Sequence, residues 1–224
     1  GRLGALDLHG FARLGRHTGA SAGAALSWVA GDSVELHASA RAYRRHDGWS
    51  MDDAAGGAAL SANPWQQATR AGGTQWLVGG QWTGGPQLSV MVEAWHDGTA
   101  LSDAAWRAWG ARNGALAALA DQPAQRAVAA GNLAWQATPF NSTSLRRDNL
   151  FLRLAWQPAD WTVSLDALLT PADRGHVLTA AVQWKGDRWR LDASWRAFGG
   201  PAAALYSQLP TRRSALLAAT RRSE

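Results

Sequence analysis

The stretch Trp184-Lys185-Gly186-Asp187-Arg188-Trp189 limits the fold of this chain more than any other. It places a Gly-Asp pair between two alternating segments, with a tryptophan at the end of each. Side chains along a strand point to opposite faces in turn. One face of the second segment therefore carries Trp189, Leu191, Ala193 and Trp195, and the other carries Arg190, Asp192, Ser194 and Arg196. Gly-Asp suits a two-residue turn of the primed type, whose first position needs positive φ. An indole ring is amphipathic and is most stable where hydrocarbon meets water. The arrangement recurs. Trp28 precedes Gly31-Asp32, Trp82 precedes Gly84-Gly85-Pro86, and Trp156 and Trp161 flank Pro158-Ala159-Asp160. Trp28, Trp82, Trp156, Trp161, Trp184 and Trp189 thus stand beside four tight turns. On a sheet in water such a row would be exposed or would need a core of its own, whereas at a membrane surface it forms one belt.

Alternation over about eight or more residues predicts ten strands, at 4–15, 20–30, 33–44, 74–83, 87–96, 147–157, 160–170, 175–185, 188–198 and 212–220. Two regions break the pattern. Residues 46–73, rich in Gly, Ala, Asp and Asn, read as a long loop. Residues 97–147 form the longest irregular region, in which Ser102-Asp103 opens an Ala/Leu/Trp-rich helix running to about Ala120 and Asn132–Gln136 offers a short strand extension. Tight turns at 31–32, 84–86, 158–160 and 186–187 alternate strictly with longer connections at 46–73, 97–147, 171–174 and 198–211. With ten strands, both termini fall on the tight-turn side.

Alternation, aromatic strand ends, loop asymmetry and terminal parity together resemble the bacterial outer-membrane β-barrels, over nearly the whole chain. The resemblance implies an all-β fold: an antiparallel up-and-down transmembrane β-barrel of about ten strands, with a helix in a long extracellular loop. It covers residues 1–224 as one domain, or as the C-terminal part of a larger barrel. It also implies a lipid bilayer and the barrel assembly machinery as partners. Such barrels usually end in an aromatic residue that this machinery reads, and here Arg221-Arg222-Ser223-Glu224 stands in that place. Closure is the physical expectation, because no backbone group can be left unpaired in lipid.

Composition narrows the chemistry. No run reaches the roughly 18 apolar residues of a membrane-spanning helix. With no cysteine, disulfides, thiolate metal sites and thiol nucleophiles are excluded. No EF-hand spacing or phosphate-cradling glycine loop is present, so neither metal nor cofactor is expected. The formal net charge of +5 raises the question of nucleic acid. The arginines are nevertheless spread along strands, and Arg212, Arg213, Arg221 and Arg222 make the one grouping, so nucleic acid is not an expected partner.

Three functions follow as expectations. The first is a porin-like channel or export barrel for small anionic or sugar-like solutes, lined by Asp7, His9, Arg13, Glu35, His37, Arg41, Glu93, Arg153, Asp166, Arg190, Asp192 and Arg196, whose arginines are expected to favour anions. The belt of Trp28, Trp82, Trp156, Trp161, Trp184 and Trp189 would hold it at the interface. The second is a rim hydrolase. His46-Asp47-Gly48 and His96-Asp97-Gly98 both stand at the long-loop ends of strands, with Asp52-Asp53 nearby, and a histidine with a carboxylate partner can activate water. The set His46, Asp52, Asp53, His96 and Asp97 resembles the omptin surface proteases. Asp-Gly is also a common strand-ending signal, so catalysis is not the leading expectation. The third is a structural or adhesive barrel that binds through its long loops.

Overall fold

The computed structural model describes residues 1–52 and 62–221. The elements in chain order are β1 (Arg2–Leu3), β2 (Leu6–Gly15), β3 (Gly19–Ala30), β4 (Val34–Tyr43), β5 (Arg45–Met51), β6 (Trp65–Ala71), β7 (Thr74–Gly84), β8 (Leu88–Asp97), α1 (Asp103–Ala120), α2 (Arg126–Trp135), β9 (Asp148–Trp156), β10 (Trp161–Thr170), β11 (Gly175–Lys185), β12 (Trp189–Gly199) and β13 (Arg213–Arg221). The fold is all-β and antiparallel. Eleven strands form one sheet in the order β1-β2-β3-β4-β7-β8-β9-β10-β11-β12-β13, and β5 and β6 form a separate two-stranded ribbon. Among the described residues no helix is long and apolar enough to cross a membrane.

The ten long strands start and end within two residues of the positions expected from alternation. Other expectations are corrected. The sheet is not closed into a barrel, and it has eleven strands rather than ten. Residues at the N-terminus turn back on β2, so that Arg2 and Leu3 pair with Asp7 and Leu6 and the Leu8 amide donates to the Gly1 carbonyl. They occupy the start of the edge that closure onto β13 would need. The stretch 46–73 is not simply a loop. Arg45–Met51 and Trp65–Ala71 pair from Arg45↔Ala71 to Met51↔Trp65, extending the β4–β7 hairpin as a ribbon. Its alternation is short, and its apolar side, Trp49, Met51 and Trp65, gains a partner only once the helices pack on it. Asn132–Trp135 belong to α2, not to a strand.

Gly186 also departs from expectation, since it is not among the glycines with positive φ. The connection is longer than a two-residue turn: Lys185 pairs with Arg190, and the Gly186 amide donates to the Trp189 carbonyl at 2.9 Å. Glycine stands there because the Trp184 ring lies over it. A Cβ at Gly186 would sit 2.6 Å from the ring. Gly84 lies under the Trp82 ring in the same way.

Register carries one apolar face across all ten long strands. Along the tight-turn end, Trp28 pairs with Leu36, Val34 with Trp82, Trp156 with both Leu88 and Val163, Trp161 with Trp184, and Trp184 with Leu191. Above this row come Leu26, Val78, Leu154, Leu165, Ala180 and Trp195, and nearer the loops Trp76, Leu150 and Leu169. Among the described residues no layer covers this face; Trp28, Trp76, Trp82, Trp156, Trp161, Trp189 and Trp195 are all exposed. Nonpolar exposure on this scale is far from what a monomeric water-soluble domain shows.

The buried core lies at the loop end, outside the sheet. Trp65, Leu101, Trp106, Trp109 and Leu205 form it, with Trp49, Met51, Trp135, Phe140 and Leu145 packed around them. Helix α1 starts where Ser102 caps it, the Ser102 hydroxyl accepting from the Ala105 amide at 3.2 Å. Its alanine-rich body is a strong helix former, and Trp106, Trp109 and Leu116 fall on one face and are buried. The helices pack on the ribbon and on the 3-10 turn Leu205–Gln208, forming a cap at the loop end.

Gly79 tests this register. A Cβ there would stand 2.7 Å from both Glu93 Cγ and His37 Nε2 and 2.8 Å from the Val92 carbonyl oxygen. Backbone cannot yield easily, so Gly79→Val is expected to lower unfolding stability by about 1–3 kcal/mol. Gly10→Val, at a position with open space around it, is expected to be near neutral. Denaturant midpoints of the refolded variants check both; equal midpoints would contradict the register.

Candidate functional site

The face opposite the apolar one is polar, and it holds all twelve of the residues singled out as lining candidates. Asp7, His9 and Arg13 lie on β2, Glu35, His37 and Arg41 on β4, Glu93 on β8, Arg153 on β9, Asp166 on β10, and Arg190, Asp192 and Arg196 on β12. Their even spacing relative to one another and the paired registers put every one on the same side. Several are already paired there. His37 Nε2 lies 3.0 Å from Glu93 Oε1 across β7, over Gly79. Ser27 donates to Glu35 at 2.7 Å. Arg190 and Gln183 both donate to Asp192. Arg196 donates to Thr179 at 3.1 Å, and Arg153 stands 3.7 Å from Asp166.

Towards the loops this face becomes a connected network. Arg41 donates to Ser21 at 3.0 Å while its guanidinium lies over the Tyr43 ring at 4.3 Å and the Phe11 ring at 5.4 Å. Tyr43 donates to Gln75 at 2.6 Å, and Gln75 donates to Asp97 at 2.9 Å. Thr99 closes the chain through its hydroxyl, at 2.6 Å from Asp97. A hollow of about 490 Å³ is bounded by Phe11, Arg41, Glu93 and Asp97 of the sheet and by Thr143 and Ser144 of the cap. The cap therefore reaches over the mouth of the polar face through residues 143–144, while its helices pack on the loops.

The rim set is not brought together. His96 and Asp97 are neighbours in one strand and so point to opposite faces. His96 is on the apolar face, stacked on Trp76 with ring centroids 6.0 Å apart, and its Nδ1 lies 2.7 Å from Asp148 on β9. Asp97 is on the polar face in the network above. His46 is buried against Gly73, its Nδ1 at 3.3 Å from the Asp47 carbonyl. Asp52 follows the ribbon strand β5, and Asp53 lies outside the described residues. The arginine grouping near the C-terminus also comes apart: Arg213 and Arg221 sit at opposite ends of β13, and Arg222 lies outside the described residues. Among the described residues no group of three or more His, Asp or Glu side chains could hold a metal ion.

Sequence reasoning missed the ion pair that ties the cap to the sheet's loop end. Arg146 is buried, with Nη2 at 3.3 Å from Asp103 at the start of α1 and Nε at 3.6 Å from Asp173 in the β10–β11 loop. Burial alone would raise the Asp173 carboxyl. Hydrogen bonds from the Leu205 amide, the Thr170 hydroxyl and the Gly175 amide, with the charge of Arg146, outweigh it and hold the group below its ordinary value. Beside it, burial and the Asp173 charge raise the Tyr206 phenol, with Arg146 opposing. The signal was scattered over Asp103, Arg146, Asp173 and Leu205, which lie in four separate segments. The His96–Asp148 pair was hidden by the 50-residue insertion between β8 and β9. No family profile matches the chain, and no curated protein or solved structure matches it.

A carboxylate held below its ordinary value contributes stability that is complete above its unfolded value, near 3.8, and is lost as pH falls through the lower folded value. Below about pH 4 the cap is therefore expected to loosen first. Asp173→Asn is expected to lower stability at pH 7 and to flatten the acid limb of the stability curve. Denaturant unfolding between pH 3 and 7 reads both, and an unchanged acid limb would contradict this role.

Proposed function

We propose that this chain forms the wall of an outer-membrane β-barrel that passes small anionic or sugar-like solutes. One observation carries the reading. Ten long antiparallel strands present a continuous exposed apolar face, ending in a tryptophan row, opposite a polar face rich in arginine. That is the distribution a bilayer selects, because lipid takes the place of a packed core on one side while water or polar groups occupy the other. From Trp161 to Leu169 the apolar side of β10 runs about 26 Å along the strand at ~3.3 Å per residue, enough for a tilted strand to cross the hydrocarbon.

In lipid the free edges of β2 and β13 have to be joined, since unpaired backbone groups cost several kcal/mol each there. The edges are joined to each other or to further strands. β2 runs towards the loop end and β13 away from it, so direct pairing is antiparallel, as an up-and-down barrel requires. Bacterial outer membrane and barrel assembly machinery are the corresponding location and partner. On the polar face Arg13, Arg41, Arg153, Arg190 and Arg196 are equal in number to Asp7, Glu35, Glu93, Asp166 and Asp192, so selection among solutes is set by where these charges lie and not by their sum. A rim hydrolase is not favoured, because His46, His96 and Asp97 occupy separate environments.

Protein refolded in detergent and transferred to vesicles of brominated lipid is expected to show quenched tryptophan emission. The quenching should shrink in Trp161→Ala/Trp184→Ala and persist in Trp109→Phe, whose ring is in the cap. Planar bilayers containing the protein should conduct, and Arg153→Gln/Arg190→Gln/Arg196→Gln should shift the ion preference severalfold towards cations. A protein that stays monodisperse in water and is not quenched by lipid would sink the membrane reading. Insertion without conductance would sink the channel and leave a filled wall.

A further inference from the structure

We infer that the cavity between the start of α1 and the loops at 171–174 and 201–208 binds an anionic sugar, a hydroxylated ring of monosaccharide size bearing one carboxylate or phosphate. The cavity holds about 560 Å³, within the range of small-molecule sites. Arg107, Arg146, Arg174, Asp103 and Asp173 line it with Trp106, leaving one positive charge in excess. Asp173 is saturated, accepting from Thr170, Gly175 and Leu205. Asp103 is exposed and free to accept from a hydroxyl as well as from Arg146.

The second observation is Arg146 itself. Its side chain is only 6% exposed, and its Nε, turned to Asp173 at 3.6 Å, makes no hydrogen bond. A buried guanidinium held to its carboxylates at 3.3 and 3.6 Å keeps donor capacity in reserve, and charge-assisted bonds to an anion are the strong way to use it. Arg107 and Arg174 are exposed at the cavity rim and add charge without structural duties of the same kind. Trp106 commits its N–H to the Leu145 carbonyl at 2.6 Å and is 5% exposed, so the small part of its ring that reaches the cavity wall, with Leu205, is nonpolar and suits the CH groups of a sugar. An inorganic anion would use the arginines but would leave most of the volume empty.

The inference rests on the loop end facing water, as the proposed function has it, and names the solute class met there. Calorimetric titration of the detergent-folded protein with glucuronate, glucose 6-phosphate, glucose and inorganic phosphate tests it. Glucuronate or glucose 6-phosphate is expected to bind at least about tenfold more tightly than glucose or phosphate, as loss of charge-assisted hydrogen bonds implies; which of the two binds better tells carboxylate from phosphate. Arg107→Gln/Arg174→Asn removes two rim charges, with asparagine chosen because Arg174 has φ of 56°. That variant should weaken binding by about tenfold or more while keeping its unfolding midpoint. Equal binding of glucose, no binding of either charged sugar, or an unchanged variant would overturn the inference. Lipid quenching measured on the same samples separates the two readings: quenching without sugar binding removes this site alone, and sugar binding without quenching removes the membrane reading alone.

Discussion

Everything else in this molecule follows from one unbroken alternation held in register across ten strands. Because side chains alternate with a period of two, each strand that pairs with its neighbour extends the same nonpolar face and the same polar face. A slip of one residue at any pairing would put arginines among the tryptophans. The register thus accumulates a nonpolar face that no other part of the described residues covers. A sheet of this kind needs a second sheet, a layer of helices or a hydrocarbon environment. The two helices do not supply the layer, since they pack at one end with the ribbon.

Glycine allows the faces to be crowded without breaking the ladder. Gly79 lets His37 and Glu93 meet across β7, and Gly23 lets the Phe11 ring lean over β3 towards Arg41, where a Cβ would fall 2.5 Å from that ring. On the other face His176 leans over Gly199, and Trp184 over Gly186. Each missing Cβ gives room for a large neighbour to cover bare backbone, which keeps strand pairing protected where a face has no packed layer on it.

Tryptophan is used in two opposite ways. Along the sheet it is exposed, with its ring on the nonpolar face at a strand end. In the cap Trp106 and Trp109 are 5% exposed each, their rings meeting edge to face at 5.4 Å, and both N–H groups donate to carbonyls of the following segments. The first use fits a boundary between two solvents and the second an ordinary globular core. The chain therefore combines a sheet with almost no interior and a small cap that has one. The buried Arg146 pair joins the two at Asp173.

Local pattern by itself determined the ten strands, their faces, where the tight turns fall and the helix that Ser102 opens, because alternation, turn residues and caps act within a few residues of chain; the turn type at Gly186 was set by the Trp184 ring over it. The ribbon at Arg45–Met51 and Trp65–Ala71 was not legible, since its short alternation is stabilised only by the cap it packs against. Nor were the partnerships of the candidate site residues: His96 with Asp148, Tyr43 with Asp97 through Gln75, and Arg146 with Asp173 all join segments far apart in sequence. Alternation specifies which side a residue faces but not which strand lies next to it across a long insertion. Adjacency, the open edge left where β1 folds back on β2, and the position of the cap over the polar face were decided by tertiary structure alone, because each depends on contacts whose energy exists only after the sheet is assembled.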